Sequence, residues 1–498
     1  MKVQALNLCV FLLLTLSVNL WADYHVDGKN GDDNNRGTAD SPWATLEKAR
    51  RTVKGPAKVI VHDGHYRAFI EDKSRGSTEF LEYVAAPGAR PRLEGIDIHY
   101  PEPSDSYVSF DGFDIFSTRR LRLVQVVNAR HLIIRNSELH ADHWSRGPDD
   151  GVYAINLRRT ENVLIERNRF YEVFRGVLIR KSNHVTVRGN FITVTGSSGI
   201  IYMSQSRNGL IENNHITGRD YVRYPEDPLA YHKPHQSIIA ISANDLVVRG
   251  NLLHGIGNSS GMMLYQNDMP TDVTAYRNIL IESNALYDTS NNSALRIYNL
   301  GDNVILRNNF FFSKKRPGKC DGVTNDGHYR YNVALNVHSV AEGFDGSGLK
   351  LYNNIFLGAA MIPPAAEERS NVFWSLKRGK RWQARPIDKA SRLIVGRDRG
   401  CGEHPMLMEN GGFFRVRNDL TFPEKSVLDL TPSAAPEEWQ NVAAEQLPEY
   451  FLAPLQESGF LGAPVVRKQV LRPVPGPVQL TESSTAEMPN TRATGTSP

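Results

Sequence analysis

A short phrase recurs through the middle of the chain: an asparagine, alternating apolar residues, then a second asparagine. It limits the possible folds more than any other feature. It reads Asn162-Val163-Leu164-Ile165-Glu166-Arg167-Asn168-Arg169-Phe170, then Asn183-His184-Val185-Thr186-Val187-Arg188-Gly189-Asn190-Phe191, then Asn208-Gly209-Leu210-Ile211-Glu212-Asn213-Asn214-His215-Ile216. It returns over 244–252, 278–285 and 303–310 and, weakened, over 349–355. The closing asparagines fall at Asn136, Asn168, Asn190, Asn214, Asn251, Asn284, Asn309 and Asn354, so the spacings by subtraction are 32, 22, 24, 37, 33, 25 and 45. The shortest spacings define the unit. A repeat of 22 to 25 residues with three short strands and no helical period is one coil of a parallel β-helix, and the longer spacings are coils that carry inserted loops.

The asparagine column has a physical reason. Asparagine tolerates the left-handed backbone conformation of a sharp bend, and its side chain can bond to the asparagine stacked above it. Between bends, Val, Leu, Ile and Phe alternate with polar residues, so each coil turns one face inward. At the start of the stack, Ser41-Pro42-Trp43-Ala44-Thr45-Leu46 has a capping serine and a proline at the first helical position, which predicts a short helix over the open end. The expected organisation is a signal peptide over 1–22, a cap over 23–58, a single-core solenoid over 59–360, an irregular region over 361–471 and a disordered tail rich in Pro, Ser and Thr over 472–498.

The opening phrase Tyr24-His25-Val26-Asp27-Gly28-Lys29-Asn30-Gly31-Asp32-Asp33-Asn34-Asn35-Arg36-Gly37-Thr38, with Ser41-Pro42-Trp43 and the asparagine-ended coils, resembles the pectate-lyase-like right-handed β-helix superfamily over about residues 24–360. The resemblance implies an all-β, right-handed parallel β-helix and polysaccharide chemistry. It does not select among the lyases, mannuronan epimerases and glycosidases of that superfamily.

Bulk properties narrow the setting. Lys2, the apolar run Leu8 to Leu16 and the small residue Ala22 predict an export signal cleaved after Ala22, which gives a secreted or periplasmic protein. The run is shorter than the roughly 20 residues of a bilayer span, so no membrane span is expected. Cys9 lies in that signal and leaves Cys320 and Cys401, enough for one disulfide and too few to hold the fold together. A net charge of +4 over 498 residues is small, and with no nucleic-acid-binding motif present, nucleic acid is not the expected partner.

Chemistry is expected on the strand that follows the inserted loops. Its inward pairs are read as Ile155 and Leu157, Val177 and Ile179, Ile201 and Met203, Ile239 and Ile241, Met262 and Leu264, Leu295 and Ile297, and Leu335 and Val337. The outward residues are then Asn156 and Arg158, Leu178 and Arg180, Tyr202 and Ser204, Ala240 and Ser242, Met263 and Tyr265, Arg296 and Tyr298, and Asn336 and His338. This column is rich in Arg and Tyr and has no acid. It suits an anionic, uronate-containing polysaccharide, because Arg grips a carboxylate with two parallel bonds and Tyr lies against a sugar ring. The bland alternative is a solvated outer surface of a sheet.

Cleavage of a uronate polymer by β-elimination needs a cation to neutralise the carboxylate, a base for the C5 proton and an acid for the leaving oxygen. The candidate catalytic residues are Arg180, Lys181, Tyr202, His235, Tyr265 and Arg296, and the candidate substrate-binding residues are Asn156, Arg158, His232, Tyr298 and His338. The sequence marks no certain cofactor, and calcium is the one candidate. Asp149 and Asp150 in a Pro-Asp-Asp-Gly turn are the candidate ligands if calcium binds, and turn formation is their ordinary role. The same two residues are the only hint of a hydrolase; the Asn-Thr-Asp and Gly-His-Gly motifs of polygalacturonases are missing. An epimerase would show Asp-Pro-His, from which Asp227-Pro228-Leu229 departs. A monomer is expected, and a non-catalytic glycan-binding solenoid is the alternative from a different class.

Overall fold

The computed structural model describes residues 22–141, 152–194, 197–218, 239–256, 260–265, 273–289, 293–312, 333–352, 354–357, 359–369, 371–375, 392–395, 414–416 and 428–432. Through residue 395 these form an all-β solenoid with three strands per coil, and Phe414–Val416 pairs antiparallel with Leu428–Pro432 in a separate two-stranded sheet. Tyr153–Arg158 forms the first face, Glu161–Glu166 the second and Arg169–Val173 the third, after which Arg175–Arg180 begins the next coil hydrogen-bonded in parallel beside Tyr153–Arg158. The first face continues through Ile200–Met203, Ile239–Ser242, Met262–Leu264, Leu295–Ile297 and Val333–Val337. Its inward column, Ile155, Val177, Ile200, Ile239, Met262, Leu295 and Leu335, is fully buried and in register. Each such side chain contributes about 1.5 to 3 kcal/mol of burial, so the core is made of many equal layers rather than one centre.

The asparagine column is borne out with its two roles divided between two positions. The left-handed bend falls on the first asparagine of the phrase at Asn162, Asn208, Asn278 and Asn303, with φ of 52° to 55°, and on the residue after it at His184 and Asp245. The closing asparagine does not take such a bend. The residue before it does, at Arg167, Gly189, Asn213, Gly250, Ser283 and Asn308. The closing side chains are buried in a continuous ladder in which each Oδ1 accepts from the backbone N–H and Nδ2 of the asparagine one coil earlier, from Asn168 through Asn190, Asn214, Asn251, Asn284, Asn309 and Asn354. Asn136 was one residue out of place in this column. It is the left-handed residue, and Ser137 holds the ladder position, its N–H donating to Asn168 Oδ1 at 3.0 Å. The ladder also extends past 360, because Asn354 donates to Asn371 Oδ1.

A second ladder runs two residues ahead of the first. Asp111, Arg135, Glu166, Arg188, Glu212, Arg249, Glu282 and Arg307 stack in register on the outside of the second face, alternating in sign. Four pairs close at 2.8 Å (Arg135–Asp111), 2.9 Å (Arg188–Glu166), 2.6 Å (Arg249–Glu212) and 2.6 Å (Arg307–Glu282), the last two buried. Alternation removes the like-charge contacts that parallel stacking of identical residues would create.

Both ends differ from expectation. Parallel pairing already starts at Ala22–Val26 and reaches Arg392–Val395, beyond the 59–360 span. The cap helix is Leu46–Thr52, and its N-cap is Thr45 rather than Ser41; the Thr45 hydroxyl accepts from Lys48 N–H and bonds Asp33 Oδ2 at 2.7 Å. Pro42 and Trp43 precede the helix, and Trp43 instead bridges to Val26 and joins the core. Asp27, Asp32 and Asp33 are turn formers, each accepting backbone N–H groups of its own loop or the cap. Cys320, Cys401, the export signal and the tail lie outside the described residues.

Candidate functional site

The outside of the first face carries three parallel columns, fixed by backbone pairing. One runs Arg122, Tyr153, Arg175. The next runs Gln125, Asn156, Leu178, Ile201, Ala240, Met263, Arg296, Asn336. The third runs Arg158, Arg180, Met203, Ser242 and continues through Tyr265, Tyr298 and His338, whose N–H groups bond to Ile241, Leu264 and Ile297 carbonyls.

This register corrects one coil. In Ile200–Met203 the inward residues are Ile200 and Tyr202, one position earlier than the Ile201 and Met203 of the sequence reading. Tyr202 is therefore a core residue with no exposure, its hydroxyl donating to the Arg207 carbonyl at 3.0 Å, and it is withdrawn as a catalytic candidate. The hydroxyl misled the assignment: alternation treats a tyrosine as outward, but a buried phenol is stable once it has one acceptor. Leu178, Ile201, Met203 and Ala240 now line up as a buried apolar strip on the outside of the stack, against which Tyr153 and Tyr265 pack. The Arg- and Tyr-rich column is thus two polar clusters separated by an apolar strip.

The upper cluster spans three successive coils. Arg175 Nη1 donates to the Tyr153 hydroxyl at 2.7 Å and its Nε to Ser197 Oγ at 3.0 Å, with the guanidinium 4.9 Å from the Tyr153 ring centre. Arg180 Nη2 donates to Asn156 Oδ1 at 3.2 Å, and its buried Nε has no hydrogen-bond partner among the described residues. Arg122 donates to Gln125 Oε1 at 3.1 Å, and Arg158 is exposed beside Arg180. Burial first, then the charges of Arg158, Arg122 and Arg175, pull Arg180 below the usual guanidinium range, and it stays cationic at neutral pH. Lys181 lies just past this cluster, exposed in the bend to the second face with φ 52°.

The lower cluster sits four coil rises further along, roughly 19 Å at the ordinary strand spacing. The Arg296 guanidinium lies 4.7 Å from the Tyr298 ring centre, and its buried Nε has no hydrogen-bond partner among the described residues. His338 stands edge-on to Tyr298 at 4.7 Å between centroids. Burial and then the Arg296 charge lower the His338 pKa, so the imidazole is neutral near pH 7. Burial raises the Tyr298 phenol, which Arg296 partly opposes, so it keeps its proton. Tyr265 packs between this cluster and the apolar strip, and Asn336 is buried beside Arg296.

The charge pattern separates this face from the others. Arg135, Arg169, Arg188, Arg249 and Arg307 on the second and third faces each have a carboxylate within 3.9 Å. Among the described residues, Arg122, Arg158, Arg175, Arg180 and Arg296 have none. His232, His235, Asp149 and Asp150 lie outside the described residues. Among those described, no group of three or more His, Cys, Asp or Glu is placed to hold a metal ion.

Residues 122–338 match the family described as right handed beta helix region. With the parallel coils above, the fold is a right-handed parallel β-helix. No curated protein matches the chain. Among solved structures, the chain is similar to the pectate lyase Pel9A, at 13% identity and TM-score 0.40 over 70% of this chain and 79% of the other. It is similar to the A-module of the Azotobacter vinelandii mannuronan C-5 epimerase AlgE6, at 14% identity and TM-score 0.43 over 71% and 97%. It is also similar to a mannuronic acid specific polysaccharide family 6 lyase from human gut microbiota, at 12% identity and TM-score 0.41 over 76% and 92%. All three names describe carbohydrate-active proteins. No described helix is long and apolar enough to cross a membrane.

Proposed function

We propose that this chain is a carbohydrate-active protein whose first face binds an anionic, uronate-containing polysaccharide and cleaves it by β-elimination at Arg296, Tyr298 and His338. The observation that carries this reading is the set of five first-face arginines with no carboxylate among the described residues, where Arg135, Arg188, Arg249 and Arg307 on the second face are each paired. Unmatched guanidinium groups repel one another and are stabilised by an anionic ligand, and their planar forks suit carboxylates.

The chemistry assigns one role to each group. Arg296 neutralises the uronate carboxylate and so acidifies the C5 proton. Neutral His338 removes that proton, the C4–O4 bond breaks as the C4–C5 double bond forms, and the Tyr298 phenol supplies the proton for the departing oxygen. Tyr298 and His338 thus move from binding to catalytic roles, and Arg180 and Lys181 from catalysis to binding along the polymer.

The test is to mix the protein with alginate, pectate and glycosaminoglycans, with and without chelator, and follow the ultraviolet absorbance of the unsaturated uronate. A rise that disappears in Arg296→Gln supports the reading. Reducing ends released without that absorbance would replace it with hydrolysis.

A further inference from the structure

We infer that the upper arginine cluster is a binding site for sulfate esters, so that the polymer held by the first face is a sulfated, uronate-containing polysaccharide. This rests on the reading that the first face binds an anionic polysaccharide, and it names the class. Four guanidinium groups, Arg122, Arg158, Arg175 and Arg180, occupy three adjacent coils. Two coil rises are roughly 10 Å, a length that faces only a couple of sugar rings. A plain uronate chain brings one charge per acidic sugar over that distance, which leaves guanidinium groups unmatched. Sulfate esters on the same rings supply the missing charge, and each presents three oxygens to the guanidinium forks.

The site is built rather than a chance collection of surface cations. Arg122, Arg175 and Arg180 are held by neutral acceptors, Gln125 Oε1, the Tyr153 hydroxyl with Ser197 Oγ, and Asn156 Oδ1, which orient them without cancelling their charge. Arg180 Nε is buried with no hydrogen-bond partner among the described residues. The apolar strip of Leu178, Ile201, Met203 and Ala240 closes the cluster on its C-terminal side, so the excess charge is confined to these coils.

The experiment compares end-labelled oligosaccharides of one length, a sulfated uronate glycan and its chemically desulfated form, by fluorescence titration at fixed salt. The wild-type protein should bind the sulfated form at least about tenfold more tightly, and Arg122→Gln/Arg175→Gln should lose most of that preference. Should the double variant fail to fold by circular dichroism, Arg158→Gln, at an exposed position, reads the same loss in part. Equal binding of the two glycans, a preference that survives in the variants, or equally tight binding of a polynucleotide of the same charge would overturn the inference. A sulfation preference with no turnover of any polymer would remove the lyase reading and leave this one standing.

Discussion

Replacing Asn251 by alanine should cost about 3 to 5 kcal/mol of stability. Asn251 is fully buried in the centre of the ladder. Its Oδ1 accepts from Asn214 N–H and Nδ2, both at 3.0 Å, and its Nδ2 donates to the Ile211 carbonyl at 2.9 Å, the Arg249 carbonyl at 3.0 Å and Asn284 Oδ1 at 2.9 Å. Alanine leaves the Asn214 backbone N–H without its acceptor and takes the Asn251 donor away from the Ile211 carbonyl and Asn284 Oδ1 at a site closed to water, and each buried group left unmatched costs about 1 to 3 kcal/mol. Asn251→Asp separates the two halves of the interaction. It keeps the acceptor but turns the donor into an oxygen facing three others, so its deficit should shrink at acid pH, where protonation restores one donor. Urea unfolding followed by far-ultraviolet circular dichroism measures both. Because the coils stack in one dimension, the loss appears as a lower midpoint or a split transition. An alanine variant within about 1 kcal/mol of the wild type would refute the idea that the ladder holds the bends together.

Acid should weaken the fold through His215, which burial holds at a pKa of about 4 against 6.5 unfolded. The unfolded chain then binds more protons between those values, so stability is intact above pH 6.5 and is lost as the pH falls, by roughly 2 kcal/mol between pH 7 and pH 5. His215→Leu should flatten that slope, and an unchanged slope would assign the acid sensitivity elsewhere. Glu282→Gln should cost about 3 to 5 kcal/mol by leaving Arg307 charged and buried, whereas Glu282→Leu with Arg307→Met should recover much of it, as thermal unfolding would show. Tyr202→Phe should leave β-elimination unchanged and lose about 1 kcal/mol with the bond to the Arg207 carbonyl; a large loss of turnover would return Tyr202 to the site.

The coil was legible because its information is periodic. Period-2 alternation and an asparagine at a fixed offset are both one-dimensional signals, and they recovered every inward pair of the first face except the one at 200–203. That slip has a local cause: Ile200-Ile201-Tyr202-Met203 is apolar throughout, so alternation does not choose between registers, and only pairing with Val177 and Ile239 does. The charge ladder was also present in the sequence and was missed. Two residues before each ladder position up to Asn309 stand Arg135, Glu166, Arg188, Glu212, Arg249, Glu282 and Arg307, a strict alternation that also marks Ser137, not Asn136, as the first ladder position. The second bend falls one residue before the closing asparagine, where Gly189 and Gly250 take positive φ at no steric cost and Arg167 and Ser283 adopt it as well. The division of the outer column into two clusters was not legible, since it depends on which outward side chains are buried.

The most direct test of the account is arginine-selective modification by phenylglyoxal, mapped by mass spectrometry, with and without a bound uronate-containing polysaccharide. The account predicts that the polymer protects Arg158, Arg180 and Arg296 on the first face and leaves Arg51 on the cap helix and Arg167 at the bend after the second face as reactive as before. Equal protection of Arg167, or none at Arg180 and Arg296, would contradict it.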